Sequence, residues 1–283
     1  MNIIYQYWDG ELNDKVLLSS KLVKEYAKRI GADYLFEHNP NFLYKDFYAF
    51  IPYHANTYGS FKPIFDPYFE KYDKVLFLDA DIFPVENLQE SIFDCLNGEI
   101  GLVPSETVKD LPPHIIDVHK EWWYNTVLNE YGISVEEYCG APINLNTGVV
   151  LYSKAVREKL RQHIKIDTIM RNAKLVIDSR SNTMFMNDES YLQITLYLLN
   201  IDVHKLPQKW NAHLTTNIYS VDGINASVNH IDRRTPDTNL IHVRLSGYNF
   251  ITSEEVNRII SSKLPQWPER VLSGDYIKEY VEI

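Results

Sequence analysis

The residues in this chain best suited to chemistry are Asp79 and Asp81, one residue apart across Ala80. They follow Lys74-Val75-Leu76-Phe77-Leu78, a mostly apolar run with β-type side chains, which predicts a strand buried on both faces of a parallel sheet. Ligands of open α/β sheets bind beyond the carboxyl ends of the strands, so a site is expected where this run stops. An isolated buried carboxylate is costly, and Asp is rarely buried without a partner. Two of them at the end of a buried strand ask for a cation. The plain alternative makes Asp79 a helix cap and Asp81 a solvated turn residue. Pro84 bars simple continuation of the strand, and Leu88, Ile92, Phe93 and Leu96 share one face of a helix expected after it.

Three later stretches also place polar groups at element ends. Asn146-Thr147-Gly148 opens the run N-T-G-V-V-L-Y, where a plain turn would use the tolerance of Asn and Gly for positive φ. Asp188-Glu189 stands at an expected helix start, where the helix dipole favours acidic residues whatever their purpose. His242 ends the strand-like Leu240-Ile241-His242-Val243, and alone it reads as a structural histidine. Together with Asp79 and Asp81 it makes a three-ligand set. Oxygen donors suit Mn²⁺ and Mg²⁺, and imidazole is acceptable to Mn²⁺.

Composition narrows the field. The chain has 283 residues, 45% of them hydrophobic, which is ample for a core. A net charge of −10 argues against a general nucleic-acid or anionic-membrane binder and leaves a metal-held nucleotide open. No apolar run reaches about 18 residues, so no transmembrane helix is expected. Met1 leads straight into Asn2-Ile3-Ile4-Tyr5 without the basic and apolar regions of a signal peptide. Cys95 and Cys139 form no disulfide framework, and a reducing, cytoplasmic setting is expected, in a bacterial or virus-encoded protein.

The elements that must position these residues follow from local pattern. Asn2 to Trp8 predicts a strand with its turn at Asp9-Gly10, and Leu18, Leu22, Tyr26 and Ile30 predict a helix stopped by Gly31. Asp33 to Glu37 completes a β-α-β opening. Phe61 to Tyr72 reads as one short helix, Gly101 to Val103 as a strand, and residues 105–142 as an irregular insertion. Asn146 to Tyr152 predicts a strand, with Ser153 capping a helix to about His163. A helix from Asn187 or Asp188 carries Leu192, Leu196 and Leu199 on one side. Strands are expected at Val203–Leu206 and Leu240–Val243, and a short helix after Ser253. With no repeat or linker, one domain is expected over 1–283, with the β-α-β opening of a nucleotide-binding half at 1–104 and a second half at 105–283.

The order of Asp79-Ala80-Asp81, Asn146-Thr147-Gly148, Asp188-Glu189 and His242 with Gly247 resembles retaining GT-A glycosyltransferases. The likeness is to the glycogenin/galactosyltransferase and plant xyloglucan xylosyltransferase families. The second also shows in the segments EYAKRIGADYLF, FDPYFEKYDKVLFLDAD, NTGVVLYS and DESYLQITLYLL. The resemblance implies a Rossmann-like, mixed but mainly parallel sheet flanked by helices. It implies Mn²⁺ (or Mg²⁺) on Asp79, Asp81 and His242, bridging the diphosphate of a UDP-sugar or other nucleotide-sugar donor. Asn146 would face the sugar, with Thr147 and Gly148 allowing close approach, and Asp188 would contact the donor sugar, kept ionised by the helix dipole. Glu189 stands where these families often have Gln, so it is a nucleophile, an ion-pair stabiliser, or turned away. Lys62 would reach phosphate. The Lys-Pro-Trp ending of glycogenin-like enzymes is missing from H-V-R-L-S-G-Y-N-F, which leaves Arg244 or the backbone at Gly247 for that task. The base would sit near Tyr5, Tyr7, Trp8 and Asp9.

The expected activity is metal-dependent transfer of a sugar to a carbohydrate or glycoprotein acceptor, with retention. Three alternatives stand beside it. An inverting transferase would need a general base such as Glu189 or Glu121. A sugar-nucleotide pyrophosphorylase would need a Gly-rich phosphate loop, yet residues 1–20 contain only Gly10. A non-catalytic sugar-binding module would have no use for an intact metal triad.

Overall fold

The computed structural model describes residues 1–40, 59–105, 144–164, 188–221, 225–245 and 252–261. Its elements, in chain order, begin with β1 (Asn2–Trp8), α1 (Asp14–Arg29), β2 (Asp33–His38), α2 (Lys62–Phe65), β3 (Lys74–Leu78), β4 (Ile82–Pro84) and β5 (Ile100–Ser105). They continue with β6 (Asn144–Ser153), α3 (Lys154–His163), α4 (Asp188–Leu198), β7 (Val203–Lys205), β8 (Ala212–Val221), β9 (Asn225–Asp232), β10 (Leu240–Leu245) and α5 (Ser253–Ser261).

The larger sheet has the order β2-β1-β3-β6-β5-β7. The β2-β1, β1-β3 and β5-β7 pairs are parallel, and β6 runs antiparallel to both its neighbours. This is the mixed, mainly parallel sheet that was expected. Because β6 sits between β3 and β5, the two halves of the chain share one sheet. Both faces are covered, and alternate residues go to opposite cores. Ile4, Leu76, Leu78, Val149 and Leu151 pack with α1, β10 and α5 on one side. Ile3, Tyr5, Val75, Phe77, Val150 and Tyr152 pack with Phe61, Phe69, α3 and α4 on the other.

Local signals account for most element ends. The Asn13 side chain accepts the N–H groups of Lys15 and Val16 at the start of α1, and Gly31 leaves the helix at φ 69°, a left-handed conformation open to glycine. Ser153 Oγ accepts from Val156 N at 3.1 Å and starts α3 as predicted. The Phe61–Tyr72 stretch is not one helix. Pro67 lacks an N–H and forces Asp66 into an extended conformation (φ −78°, ψ 121°), so α2 ends and a separate 3₁₀ turn, Pro67–Lys71, begins.

A second correction bears on the site. The segment after Asp81 is no helix: residues 82–84 form β4, an edge strand antiparallel to β10 in a small sheet of order β4-β10-β8-β9. Pro84 is tolerated at its end because an edge strand leaves one side unpaired. Leu88, Ile92 and Phe93 are buried as the helical spacing suggested, but on irregular chain and a 3₁₀ turn at Ile92–Cys95. The β8-β9 hairpin, paired from Leu214↔Asp232 to Val221↔Asn225, was not foreseen. The insertion at 105–142 lies outside the described residues apart from Ser105, and with it Glu121. Among the described residues no helix is long and apolar enough to cross a membrane.

Replacing Ser153 with Ala removes the α3 cap and should cost about 1 kcal/mol, read as a lower Tm, with Ser153→Asp retaining most of it. An unchanged Tm in Ser153→Ala would show that the cap contributes nothing.

Candidate active site

Asp79-Ala80-Asp81 is the passage from β3 of the large sheet to β4 of the small one. Its backbone is held on all sides. Asp79 N donates to Gly148 O at 2.9 Å, Ile82 N to Asp79 O at 3.2 Å, and Val243 N to Asp81 O at 3.0 Å. The Gln6 side-chain amide donates to Asp79 O at 3.0 Å, and Ser19 Oγ to Ile82 O at 2.6 Å. Gln6 and Ser19 are fully buried and bonded to each other, and they give the buried carbonyls of Asp79 and Ile82 side-chain donors. Ala80 is packed in the core, while Asp79 and Asp81 keep 41% and 24% of their side chains exposed to a ligand.

The third member arrives through the small sheet. His242 is paired with Ile82, the residue after Asp81. Its Nε2 lies 3.1 Å from Asp81 Oδ1 and 3.8 Å from Asp79 Oδ2, and one ligand atom from each of the three residues falls within 4.8 Å of the others. Adjacent donors on an octahedral ion with bonds of about 2.1 Å are about 3 Å apart, so this spacing suits a divalent cation. Asp81 Oδ1 is buried and has no hydrogen-bond partner among the described residues. An orphaned carboxylate oxygen facing an imidazole nitrogen is what a cation-binding site leaves behind. Gly148 completes the fit: a Cβ there would lie 2.5 Å from His242 Cε1 and 2.8 Å from both Asp79 Oδ2 and Asn146 Oδ1. Only glycine fits.

Asn146-Thr147-Gly148 is more than a turn. Leu102 pairs with Val150 but the next residue, Val103, pairs with Asn146, so β6 bulges away from β5 between these points. Thr147 hydrogen-bonds Asp188, while Gly148 abuts Asp79 and His242. Two consecutive residues thus bring the α4 acid next to the carboxylate-imidazole cluster. Asp188 is buried and accepts from Ser60 Oγ at 2.8 Å. Burial pushes its pKa up to about 6, against the opposing pull of Ser60, Thr147 and the backbone N–H groups at the helix start. Asp188 is mostly ionised at neutral pH as expected, but burial outweighs the groups at the helix start and sets the direction of its shift. Glu189 is buried beside it.

The other predicted residues divide. Tyr5 is fully buried, its hydroxyl donating to Glu37 at 2.9 Å and its ring packed on Phe69 and Phe77, so it offers no face to a base. The strand alternation sends its side chain into the core. Lys62 is corrected too: its ammonium is buried in an ion pair with Glu37 at 2.5 Å, with Asp66 at 3.5 Å, and it is not available to phosphate. Trp8 is half-buried, its indole N–H bonded to Glu11 O at 2.9 Å. Next to it, Asp9 Oδ2 is buried without a hydrogen-bond partner among the described residues, and burial raises its pKa. Arg244 lies in β10 with its side chain outside the description, and Gly247 lies outside the described residues. Sequence reasoning missed Gln6, Ser19, Ser60 and Asn211. Only Gln6, a polar residue inside the apolar run I-I-Y-Q-Y, carried a signal.

No family model and no curated protein matches this chain. Solved structures do. The galactosyltransferase LgtC, in complex with donor and acceptor sugar analogs, is 15% identical with a TM-score of 0.46, covering 95% of this chain and 98% of its own. Mouse xyloside xylosyltransferase 1 is 12% identical with a TM-score of 0.47, covering 87% and 99%. A glycosyltransferase involved in the glycosylation of the major capsid of PBCV-1 is 14% identical with a TM-score of 0.39, covering 75% and 84%. At such identities and TM-scores, function is read from the site's geometry and not from the likeness.

The Asp188 carboxyl gives a pH signature. Burial holds it protonated up to about pH 6, well above the ordinary aspartate range of about 4. Stability from this group is therefore fully present below about pH 4 and lost as pH rises through 6. Asp188→Asn removes the effect, so its stability relative to wild type should rise by about 2–3 kcal/mol between pH 4 and pH 7 and then level off. A difference that does not change with pH would contradict a buried, titrating Asp188.

Proposed function

We propose that this chain is a metal-dependent glycosyltransferase of the GT-A type, moving a sugar from a UDP-sugar to a carbohydrate or glycoprotein acceptor with retention at the anomeric carbon. The observation that carries the reading is the convergence of Asp79, Asp81 and His242 at the end of a buried strand, with Gly148 making room and Asp188 of α4 held by Thr147, the residue before it on β6. When bound there, Mn²⁺ (or Mg²⁺) supplies Lewis-acid assistance to departure of the nucleoside diphosphate.

The chain's own residues do the rest. Asp188, ionised at neutral pH, accepts hydrogen bonds from sugar hydroxyls, and these strengthen as positive charge develops on the ring. The hydrogen bonds of Asn146 use its Oδ1, so its amide nitrogen is the group that meets a sugar oxygen. Glu189 serves as nucleophile or as electrostatic partner of the developing cation. The base stacks beside Trp8, where the Asp9 carboxylate accepts an N–H of uracil. Arg244 and the backbone at Gly247 are the groups assigned to the diphosphate. Retention is supported by the acids of α4 lying against Asn146-Thr147-Gly148, on the sugar side of the metal triad.

Donor hydrolysis tests this without knowledge of the acceptor. In a screen of UDP- and GDP-sugars, a UDP-sugar should be hydrolysed only with Mn²⁺ or Mg²⁺. Asp81→Ala should reduce the rate by more than the roughly 100-fold upper range for losing an outer metal-site partner. NMR of freshly released sugar should show the donor's anomeric configuration. Hydrolysis unaffected by EDTA and by Asp81→Ala would overturn the metal assignment, and an inverted sugar would overturn retention.

A further inference from the structure

The small sheet brings more to the site than His242. Pro207-Gln208-Lys209-Trp210 forms a 3₁₀ turn, Gln208–Trp210, anchored by the fully buried Trp210, and Asn211 follows it. Asn211 is itself fully buried, its carbonyl accepting from Gln208 Nε2 at 2.8 Å and its N–H donating to Gln208 O at 3.0 Å. This fixed amide lies between two residues of the site. Its Nδ2 donates to Asn146 Oδ1 at 2.8 Å, and its Oδ1 lies 2.9 Å from His242 Nδ1.

The direction of every bond in this chain follows from one fixed donor. Gly148 N is a backbone amide and can only donate, and it reaches Asn146 Oδ1 at 2.9 Å. That oxygen is therefore the acceptor, and the group of Asn211 facing it is the NH₂. The other group of Asn211, facing His242, is then the carbonyl oxygen, which accepts a proton from Nδ1. A neutral imidazole protonated at Nδ1 has its lone pair at Nε2, and Nε2 is the atom 3.1 Å from Asp81 Oδ1. His213, paired with His242 across β8 and β10, packs edge-on at 5.2 Å and restricts the ring's rotation.

We propose that Asn211 is a positioning residue: the relay Gly148 N–H, Asn146, Asn211 sets His242 as the Nδ1–H tautomer and aims its Nε2 lone pair at the ion held by Asp79 and Asp81. The proposal rests on the reading of these three residues as a metal site. Metal-bound histidines commonly donate their second N–H to such an oxygen, which fixes ring orientation and raises ligand basicity. Here the source of the orientation is a backbone amide of the glycine that also makes room for the His242 and Asp79 side chains.

The tautomer is measurable without metal. Long-range ¹H–¹⁵N correlation NMR of the metal-free protein at alkaline pH, with His242 assigned by comparison with His242→Gln, should show the proton on Nδ1. A proton on Nε2 would overturn the proposal. Mn²⁺ titration supplies the second arm: Asn211→Leu should weaken binding by roughly 10- to 100-fold and shift the tautomer, whereas Asn211→Asp, which keeps an acceptor for Nδ1 and loses the donor to Asn146 Oδ1, should keep the tautomer. Wild-type affinity and tautomer in Asn211→Leu would overturn the proposal. Should Asn211→Leu fail to fold, the wild-type tautomer and Asn211→Asp still decide it. Wild-type protein that has the Nδ1–H tautomer yet binds no Mn²⁺ would support the relay and overturn the metal reading.

Discussion

The backbone bond from Val243 N to Asp81 O, 3.0 Å long, and the adjoining β4-β10 ladder hold the two sheets together where the carboxylates stand. Without this connection Asp79 and Asp81 would be two acids at the end of a strand, and His242 a buried ring elsewhere. Register does the work: His242 opposite Ile82 is one residue from Asp81, and a slip by one would turn the imidazole to the other face. Gln6 and Ser19 protect the same crossing by supplying donors to the carbonyls of Asp79 and Ile82.

The site combines buried and accessible charge. His242 is nearly inaccessible and Asp188 is buried, while Asp79 and Asp81 remain partly open. Burial makes each interaction stronger, but it penalises ionisation, as the raised pKa of Asp188 shows. Ser60 and Thr147 offset that penalty with two hydrogen bonds, which leaves a carboxylate that is ionised at neutral pH and poorly solvated. Such a group is ready to accept hydrogen bonds from a sugar, because water competes weakly for it.

Much of this was legible in the residue string. The apolar runs of β1, β3, β6 and β10, the period of α1 and the Ser153 cap are local signals, and local chemistry decides them. The three-residue cluster was legible only in part: Asp-x-Asp at a strand end is chemically distinctive, whereas His242 alone reads as structural and joined the set through its place after the other motifs. What failed depended on partners far away in sequence. Pro84 was read as ending the strand, yet pairing with β10 makes residues 82–84 a strand, and the helical spacing of Leu88, Ile92 and Phe93 falls on irregular chain and a 3₁₀ turn. Lys62 looked like a phosphate ligand until Glu37 was found beside it, and Tyr5 like a base platform until Phe69 and Phe77 covered it. The alternation of β8 and β9 is too polar to announce a hairpin, and Asn211 has no signature except its neighbours in space.

The central claim is that Asp79, Asp81 and His242 share one divalent cation. Anomalous diffraction from crystals grown with Mn²⁺ and UDP tests it directly. The account predicts a single strong peak in coordination range of a carboxylate oxygen from each aspartate and of His242 Nε2, at roughly 2.0–2.3 Å, with diphosphate oxygens on its open side. A peak elsewhere, or UDP bound with no peak between these three residues, would contradict it.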